Sequence, residues 1–249
     1  MLVRVKKAVK NIELAVRILV VKVYASAVYG RAKQQPRTMP AAKLNIKNIS
    51  VNSVFSVAKM RVFIAADIDD EVRRAIGSLI RRLQKDVHTS GQGVKWVHPD
   101  AMHLTLKFLG EVDDNALTDV CKAVESSTAG HSSFDLDIET LGCFGGKSAR
   151  VVWVGTGQGS EQLKAMADEI DEKMDEIGFP KETRQFTGHL TLCRIKNARD
   201  GYELAGAVDG FGPFNAGTVN IDAVTVYQSE LTRSGPSYTA LASYKLVQL

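Results

Sequence analysis

The sequence predicts an α+β fold with two lobes related by a pseudo-two-fold axis. Two small antiparallel sheets should face each other across a central cleft, with the helices outside. Strand and helix patterns alternate in the order β-α-β-β-α-β-β-α-β-β-β, which suits such sheets. A His-Leu-Thr-Leu motif also occurs twice, at His103 and at His189, once in each of two halves of similar length, 60–142 and 143–249.

The first half begins with a buried strand and a helix. Residues 61–66 are mostly apolar, and the apolar side chains of 69–87 recur with the 3.6-residue period of a helix. Three aspartates within 67–70 are suited to cap that helix, because carboxylates accept hydrogen bonds from its free N-terminal amides. A short strand follows at 94–97, and the first motif strand ends at Gly110.

The later elements are predicted from the same two periodicities. A helix, two strands and a third helix cover residues 113–126, 134–139, 150–155 and 160–177. A weaker helical segment follows Arg199. Two long alternating strands, 219–227 and 238–247, close the chain, and Gly235-Pro236 marks the turn between them.

The basic charge of the chain is confined to residues 1–59. They hold 12 of the 32 Lys and Arg residues but only one of the 28 Asp and Glu residues. We interpret 1–59 as a basic extension, disordered or upstream of a true start at Met60, because a strand pattern begins directly after Met60. Residues 60–249 then form the functional domain. Two alternatives stay open: a secretion signal with a cleavage site at Ala25-Ser26-Ala27, and a nucleic-acid-binding or targeting arm.

Composition excludes several classes of protein. The body beyond residue 59 is acidic, so a nucleic-acid contact should be local and not a long phosphate-tracking groove. The cysteines are odd in number and lack a Cys-x-x-Cys spacing, which argues against a disulfide framework or structural zinc and favours a cytoplasmic location. They are Cys121, Cys143 and Cys193. No apolar run is long enough to span a bilayer, so we expect no membrane partner.

Strand alternation gives each motif a chemical face and a buried face. Side chains two apart point the same way. His103, Thr105 and Lys107 should therefore share one face, and His189, Thr191 and Cys193 should share another. The leucines lie behind. A single histidine in a strand is normally a packed or surface residue, but the repeat in two similar halves is hard to attribute to packing.

Two facing imidazoles suit a reaction at phosphorus. One accepts a proton from the attacking oxygen while the other donates a proton to the leaving oxygen. The threonine hydroxyls can donate hydrogen bonds to phosphate oxygens, and Lys107 can add positive charge. We expect no metal and no other cofactor, since no carboxylate-rich cluster accompanies either histidine.

At these residues the chain resembles the 2H phosphoesterase superfamily, and within it the RNA 2′,3′-cyclic phosphodiesterase family, also called 2′-5′ RNA ligase. The resemblance covers about Met60 to Leu249 and includes segments around both motifs in the family's order. These segments are 61–65, 94–97, 103–110, 150–155, 188–196 and 227–238. Gly188 stands where the family often has proline.

The resemblance implies the 2H phosphoesterase fold and hydrolysis of a ribose 2′,3′-cyclic phosphate, on RNA ends or nucleotides, to a 2′-phosphate. It implies that His189 is the general base, that His103 is the general acid, and that Thr105 and Thr191 hold the phosphate. Further substrate-binding candidates are Lys107, Arg150 and Tyr238. Arg194 is less favoured, because alternation places it on the face opposite His189.

Two other functions use the same residues. A ligase would join 2′,3′-cyclic phosphate and 5′-hydroxyl RNA ends, with a ribose hydroxyl replacing water, and the sequence does not separate it from the hydrolase. A non-catalytic RNA-end binder is disfavoured by the intact histidine pair. In each case the protein is expected to act as a monomer.

Overall fold

The computed structural model describes residues 59–89, 91–232 and 235–248. The predictions for the extension fall on residues that lie outside these ranges, apart from Lys59, where the first strand begins. Within the described ranges there are nine strands and four α-helices. They are β1 (Lys59–Ala66), α1 (Asp70–Asp86), β2 (Val94–Trp96), β3 (Leu104–Asp113), α2 (Asp114–Thr128), β4 (Phe134–Phe144), β5 (Val151–Thr156), α3 (Ser160–Glu176), β6 (His189–Ile195), α4 (Ala198–Asp209), β7 (Asn215–Ile221), β8 (Ala223–Thr232) and β9 (Gly235–Lys245).

The strands form two antiparallel sheets, as predicted. The first sheet has the order β3-β1-β8-β9, and the second has the order β2-β6-β5-β4-β7. Each sheet contains one motif strand, β3 in the first and β6 in the second. Helix α2 packs on the first sheet, α4 packs on the second, and α3 contacts a strand of each. The α+β fold with two sheets is therefore confirmed.

The two lobes do not coincide with the two halves of the sequence. Strand β2, from the first half, joins the second sheet, whereas β8 and β9, from the second half, complete the first sheet. Strand β4 runs through the predicted boundary at residue 142. Each lobe is thus completed by strands from the other half.

One predicted strand proved to be two. The alternating segment 219–227 is divided at Asp222, with β7 in the second sheet and β8 in the first. The chain passes from one sheet to the other at Asp222 without a glycine or proline. The alternating apolar pattern therefore gives no sign of the break. The helix boundaries were closer to prediction: Asp69 caps α1 by accepting a hydrogen bond from the Val72 amide at 2.8 Å.

The leucines of both motifs anchor the site to the core. Leu104 and Leu106 are 1% and 5% exposed, and Leu190 and Leu192 are fully buried. Each buried leucine contributes about 1.5–3 kcal/mol to stability. Both motif strands are therefore anchored in the core by their leucines.

No helix in the described ranges is long and apolar enough to cross a bilayer.

Candidate active site

Each motif strand carries a β-bulge directly after its threonine. In the first sheet Thr105 pairs with Ala65 and Lys107 with Ile64, which leaves Leu106 without an opposite residue. In the second sheet the register likewise skips Leu192, between Thr191 and Cys193. A bulge puts two residues opposite one, so the alternation of faces changes phase beyond it.

The bulge overturns the predicted placement of Lys107. Its side chain is only 1% exposed, and Cys193, which follows the second bulge, is likewise fully buried. The ammonium group forms an ion pair with Asp171 of α3 and donates a hydrogen bond to the Pro180 carbonyl at 2.8 Å. Lys107 is therefore not among the residues that line the cleft.

The same bulges bring two other side chains to the cleft face. Phe108 is 59% exposed and lines the cleft, and so does the exposed Arg194. The prediction that Arg194 faces away from His189 is wrong for this reason. The motifs extend to His-x-Thr-x-x-Phe and His-x-Thr-x-x-Arg. In the second motif the sequence itself shows the phase change, because positions 190, 192, 193 and 195 are apolar. In the first motif the change is not visible, because the buried position after the bulge is the polar Lys107.

Both motifs contribute to one cleft of about 1090 Å³. His103 and Thr105 line it from the first sheet, and His189 and Thr191 line it from the second. Tyr238 of β9 also lines the cleft, as predicted. Arg150 is exposed just before β5 and is not among the lining residues, so its predicted contact with substrate has no support from its position.

Aromatic rings and a backbone carbonyl hold His103. Phe63 stacks on the imidazole with ring centroids 4.5 Å apart, and Tyr238 meets it edge-on at 5.0 Å. Burial lowers the pKa of His103 to about 4, although a hydrogen bond to the Ala101 backbone opposes this and the Arg73 charge adds to it. The free imidazole is therefore neutral at neutral pH. A phosphate anion beside the ring would raise this pKa.

A backbone carbonyl also orients His189. Its Nδ1 lies 2.8 Å from the Thr187 carbonyl oxygen, so Nδ1 carries the hydrogen and Nε2 is left for chemistry. Phe144 meets the ring edge-on at 5.4 Å, and Trp153 lies 6.5 Å away. Gly142 makes room for Trp153, because a Cβ at this glycine would lie 2.4 Å from the indole. Each imidazole is thus held by the residue two positions before it.

Hydrogen-bond donors from both sheets line the same cleft as the two imidazoles. The hydroxyls of Thr105 and Thr191 make no hydrogen bond to any residue in the described part of the chain, and both side chains are half-buried. Tyr238 and Arg194 both line the cleft, and burial raises the pKa of Tyr238 while the positive charge of Arg194 opposes the rise. The arrangement can bind a phosphate between two imidazoles. Among residues 59–89, 91–232 and 235–248, no group of three or more His, Cys, Asp or Glu side chains could hold a metal ion.

Comparison with known protein families divides the chain into two similar parts. Residues 71–153 and 154–238 each match the LigT like Phosphoesterase model. The RNA 2′,3′-cyclic phosphodiesterase of Thermotoga maritima is 33% identical over 183 residues, which cover 73% of this chain and 93% of the relative. The protein of the same name from Methanothermobacter thermautotrophicus is 30% identical over 76% of this chain and its own full length.

Solved structures agree with these sequence matches. The crystal structure of E. coli LigT in its apo form has a TM-score of 0.61 and 26% identity, covering 76% of this chain and 99% of LigT. The complex of E. coli LigT with 3′-AMP has a TM-score of 0.63 at the same identity, covering 77% of this chain and all of LigT. With two His-x-Thr-x strands facing one cleft and a family model matched by both halves, this chain belongs to the LigT-like family of 2H phosphoesterases.

Proposed function

We propose that this protein hydrolyses the 2′,3′-cyclic phosphodiester of an RNA 3′ end or a nucleotide to a 2′-phosphomonoester. The observation that carries the proposal is the pair of histidines in one cleft, each oriented through a backbone carbonyl. Each is followed two residues on by a threonine whose hydroxyl has no hydrogen-bond partner among the described residues. The names of the curated relatives, and the 3′-AMP complex of E. coli LigT, support a nucleotide as substrate.

In the proposed reaction each histidine makes one proton transfer. His189 accepts a proton from water at Nε2, the water oxygen attacks phosphorus, the bond from phosphorus to O3′ breaks, and His103 donates a proton to O3′. The phosphate anion must first raise the pKa of His103 from about 4, so that this histidine is protonated in the complex. After turnover the two histidines exchange protons with solvent.

The remaining polar groups of the cleft stabilise the charge on phosphorus. Thr105 and Thr191 donate hydrogen bonds to non-bridging oxygens, and the Arg194 guanidinium can form a bidentate contact with them. Phe108 presents an exposed ring in the same cleft, on which a nucleobase can stack.

The test is hydrolysis of adenosine 2′,3′-cyclic phosphate in the presence of EDTA. We expect 2′-AMP as the product, and a loss of roughly 10²–10⁴-fold in kcat for His103→Ala and for His189→Ala. An analogue with sulfur in place of O3′ separates the roles, because a thiolate leaves without a proton. His103→Ala should regain activity on this analogue and His189→Ala should not.

Other products would contradict the proposal in defined ways. A 3′-phosphate product would mean that O2′, and not O3′, is the leaving group. A 2′-5′ linkage formed with added 5′-hydroxyl RNA would favour the ligase. Rescue of His189→Ala alone by the sulfur analogue would reverse the two roles.

We also propose that the protein acts as a monomer in the cytoplasm. One chain supplies both motifs of the cleft, so no second copy is needed to complete it. The three cysteines, all within the described residues, are free thiols, which fits a reducing compartment. Light scattering during gel filtration should give the mass of a single chain.

A further inference from the structure

Two cations lie side by side on the cleft wall of the second sheet. Lys95 of β2 is directly opposite Arg194 of β6 in the antiparallel register, so both side chains project from the same face. Both are exposed and both line the cleft. Neither forms an ion pair with any residue in the described part of the chain. Like charges in directly opposed positions destabilise a sheet, so this arrangement has a cost that packing does not explain.

The position of the pair in the cleft makes it informative. The body of the protein is acidic, and several of its lysines lie against carboxylates on the surface. These contacts join Lys164 to Asp168, Lys173 to Glu176 and Lys181 to Glu172. Lys95 has no such partner among the described residues, although acidic side chains are abundant. An anion that arrives with the substrate is the natural partner for an unpaired cation in a cleft.

The position of β2 indicates where that anion lies. The Cα atoms of opposed residues on neighbouring antiparallel strands are about 5 Å apart, so the long side chains of Lys95 and Arg194 can contact successive phosphates of a single strand. Strand β2 is the edge of its sheet. A nucleotide chain that runs from Arg194 past Lys95 is therefore led out of the cleft into solvent.

We propose that Lys95 binds the phosphate on the 5′ side of the terminal nucleotide, so that the preferred substrate is an RNA strand and not a free cyclic mononucleotide. This rests on the proposed function, in which Arg194 contacts the reactive phosphate. Lys95 holds the next phosphate and takes no part in the proton transfers. A single contact of this kind agrees with the acidic body of the protein, which does not favour a long phosphate-tracking groove.

The experiment compares substrates that differ only on the 5′ side. They are adenosine 2′,3′-cyclic phosphate, the same compound with a 5′-phosphate, and the dinucleotide ApA with a terminal cyclic phosphate. We expect the second and third to have the higher kcat/KM. Lys95→Gln should lower kcat/KM roughly tenfold for these two, mainly through KM, and leave the first within about twofold.

Matched variants isolate the charge. Lys95→Arg keeps the charge and should keep the preference for the 5′-phosphorylated substrates. Lys85→Gln removes an exposed lysine from the last turn of α1, outside the cleft, and should change neither substrate class. An equal loss on all three substrates in Lys95→Gln, or no loss on any of them, would overturn the proposal.

A binding measurement keeps the proposal independent of turnover. Titration calorimetry with adenosine 2′-phosphate, with or without a 5′-phosphate, should show tighter binding of the 5′-phosphorylated compound only when Lys95 is present. For a short labelled RNA with a 2′-phosphate end, Lys95→Gln should reduce the slope of log K against log salt by about 0.7. Failure of hydrolysis with this binding pattern intact would reject the proposed reaction and retain the phosphate site. Unchanged binding and slope in Lys95→Gln would reject the site.

Discussion

At the scale of single residues, His103 links the protonation of the site to the stability of the fold. Its pKa is about 4 in the folded protein and near 6.5 in an unfolded chain, because burial disfavours the charged ring. The unfolded state therefore binds more protons between these two values. The stabilisation that comes from the neutral imidazole is fully present above pH 6.5. As the pH falls toward 4, the free energy of unfolding decreases by on the order of 2–3 kcal/mol.

We expect His103→Gln to remove this dependence. The free energy of unfolding of the variant, measured in urea at pH 7 and pH 4.5, should fall less on acidification than that of the parent protein. His98→Gln is the matched control, since this histidine is exposed. Equal slopes for the parent and His103→Gln would show that the imidazole titrates normally in the fold.

Phe108 is the second residue whose contribution can be tested on its own, as a ring on which the base stacks. We expect Phe108→Leu to raise KM for adenosine 2′,3′-cyclic phosphate roughly tenfold, because stacking of a base on an aromatic ring is worth about 1–3 kcal/mol. Hydrolysis of ribose 2,3-cyclic phosphate, which has no base, should stay unchanged. Phe108→Tyr should retain the parent KM. Equal losses on both substrates in Phe108→Leu would mean that the ring shapes the strand and does not contact the base.

At the scale of elements, the bulges decide which side chains reach the substrate. Periodicity alone predicts the two motif strands, their buried leucines and the shared face of each His and Thr, because the alternation changes phase only beyond these residues. It fails at Lys107 and Arg194, which lie after it. A bulge depends on how the partner strand pairs, and pairing is not encoded in the period of one segment.

The buried ion pair of Lys107 shows what the misplaced residue does. Asp171 accepts from Lys107 and from the Glu182 amide, and Pro180 accepts from the same lysine. Strand β3, helix α3 and the segment leading to His189 are thereby joined at one point. The contact holds the segment that leads to the second motif against the strand that carries the first.

We expect Lys107→Met to lower the free energy of unfolding by up to about 3 kcal/mol, since the Asp171 carboxylate, which is only 20% exposed, loses its cation. Lys107→Met combined with Asp171→Asn should be less destabilised than the single variant. Lys173→Met removes one partner of a more exposed pair and should destabilise the protein much less. Urea denaturation measures all three, and additive losses in the double variant would show that the two side chains do not interact.

At the scale of the whole molecule, the exchange of strands between halves makes the lobes interdependent. The sequence predicts two sheets and two similar halves, but it does not predict that β2, β8 and β9 cross from one half to the other lobe. Local patterns define strands, whereas the choice of partner strand is made by the packed core. That core includes buried side chains of both sheets.

We therefore expect a single cooperative unfolding transition. The calorimetric and van't Hoff enthalpies should agree, and fragments 60–142 and 143–249 should not fold separately, since each lacks strands of its sheet. Co-expression of the two fragments should restore folding. Two resolved heat-capacity peaks for residues of the body would contradict this expectation.

Between β7 and β8 only Asp222 intervenes, although the two strands belong to opposite walls of the cleft. Hinges that open a cleft need several residues able to change their backbone angles, and this crossing offers one. The distance between the two sheets is therefore expected to be set when the chain folds. We therefore expect a substrate to bind without a large movement of the two sheets, so that little binding free energy is consumed in moving the protein.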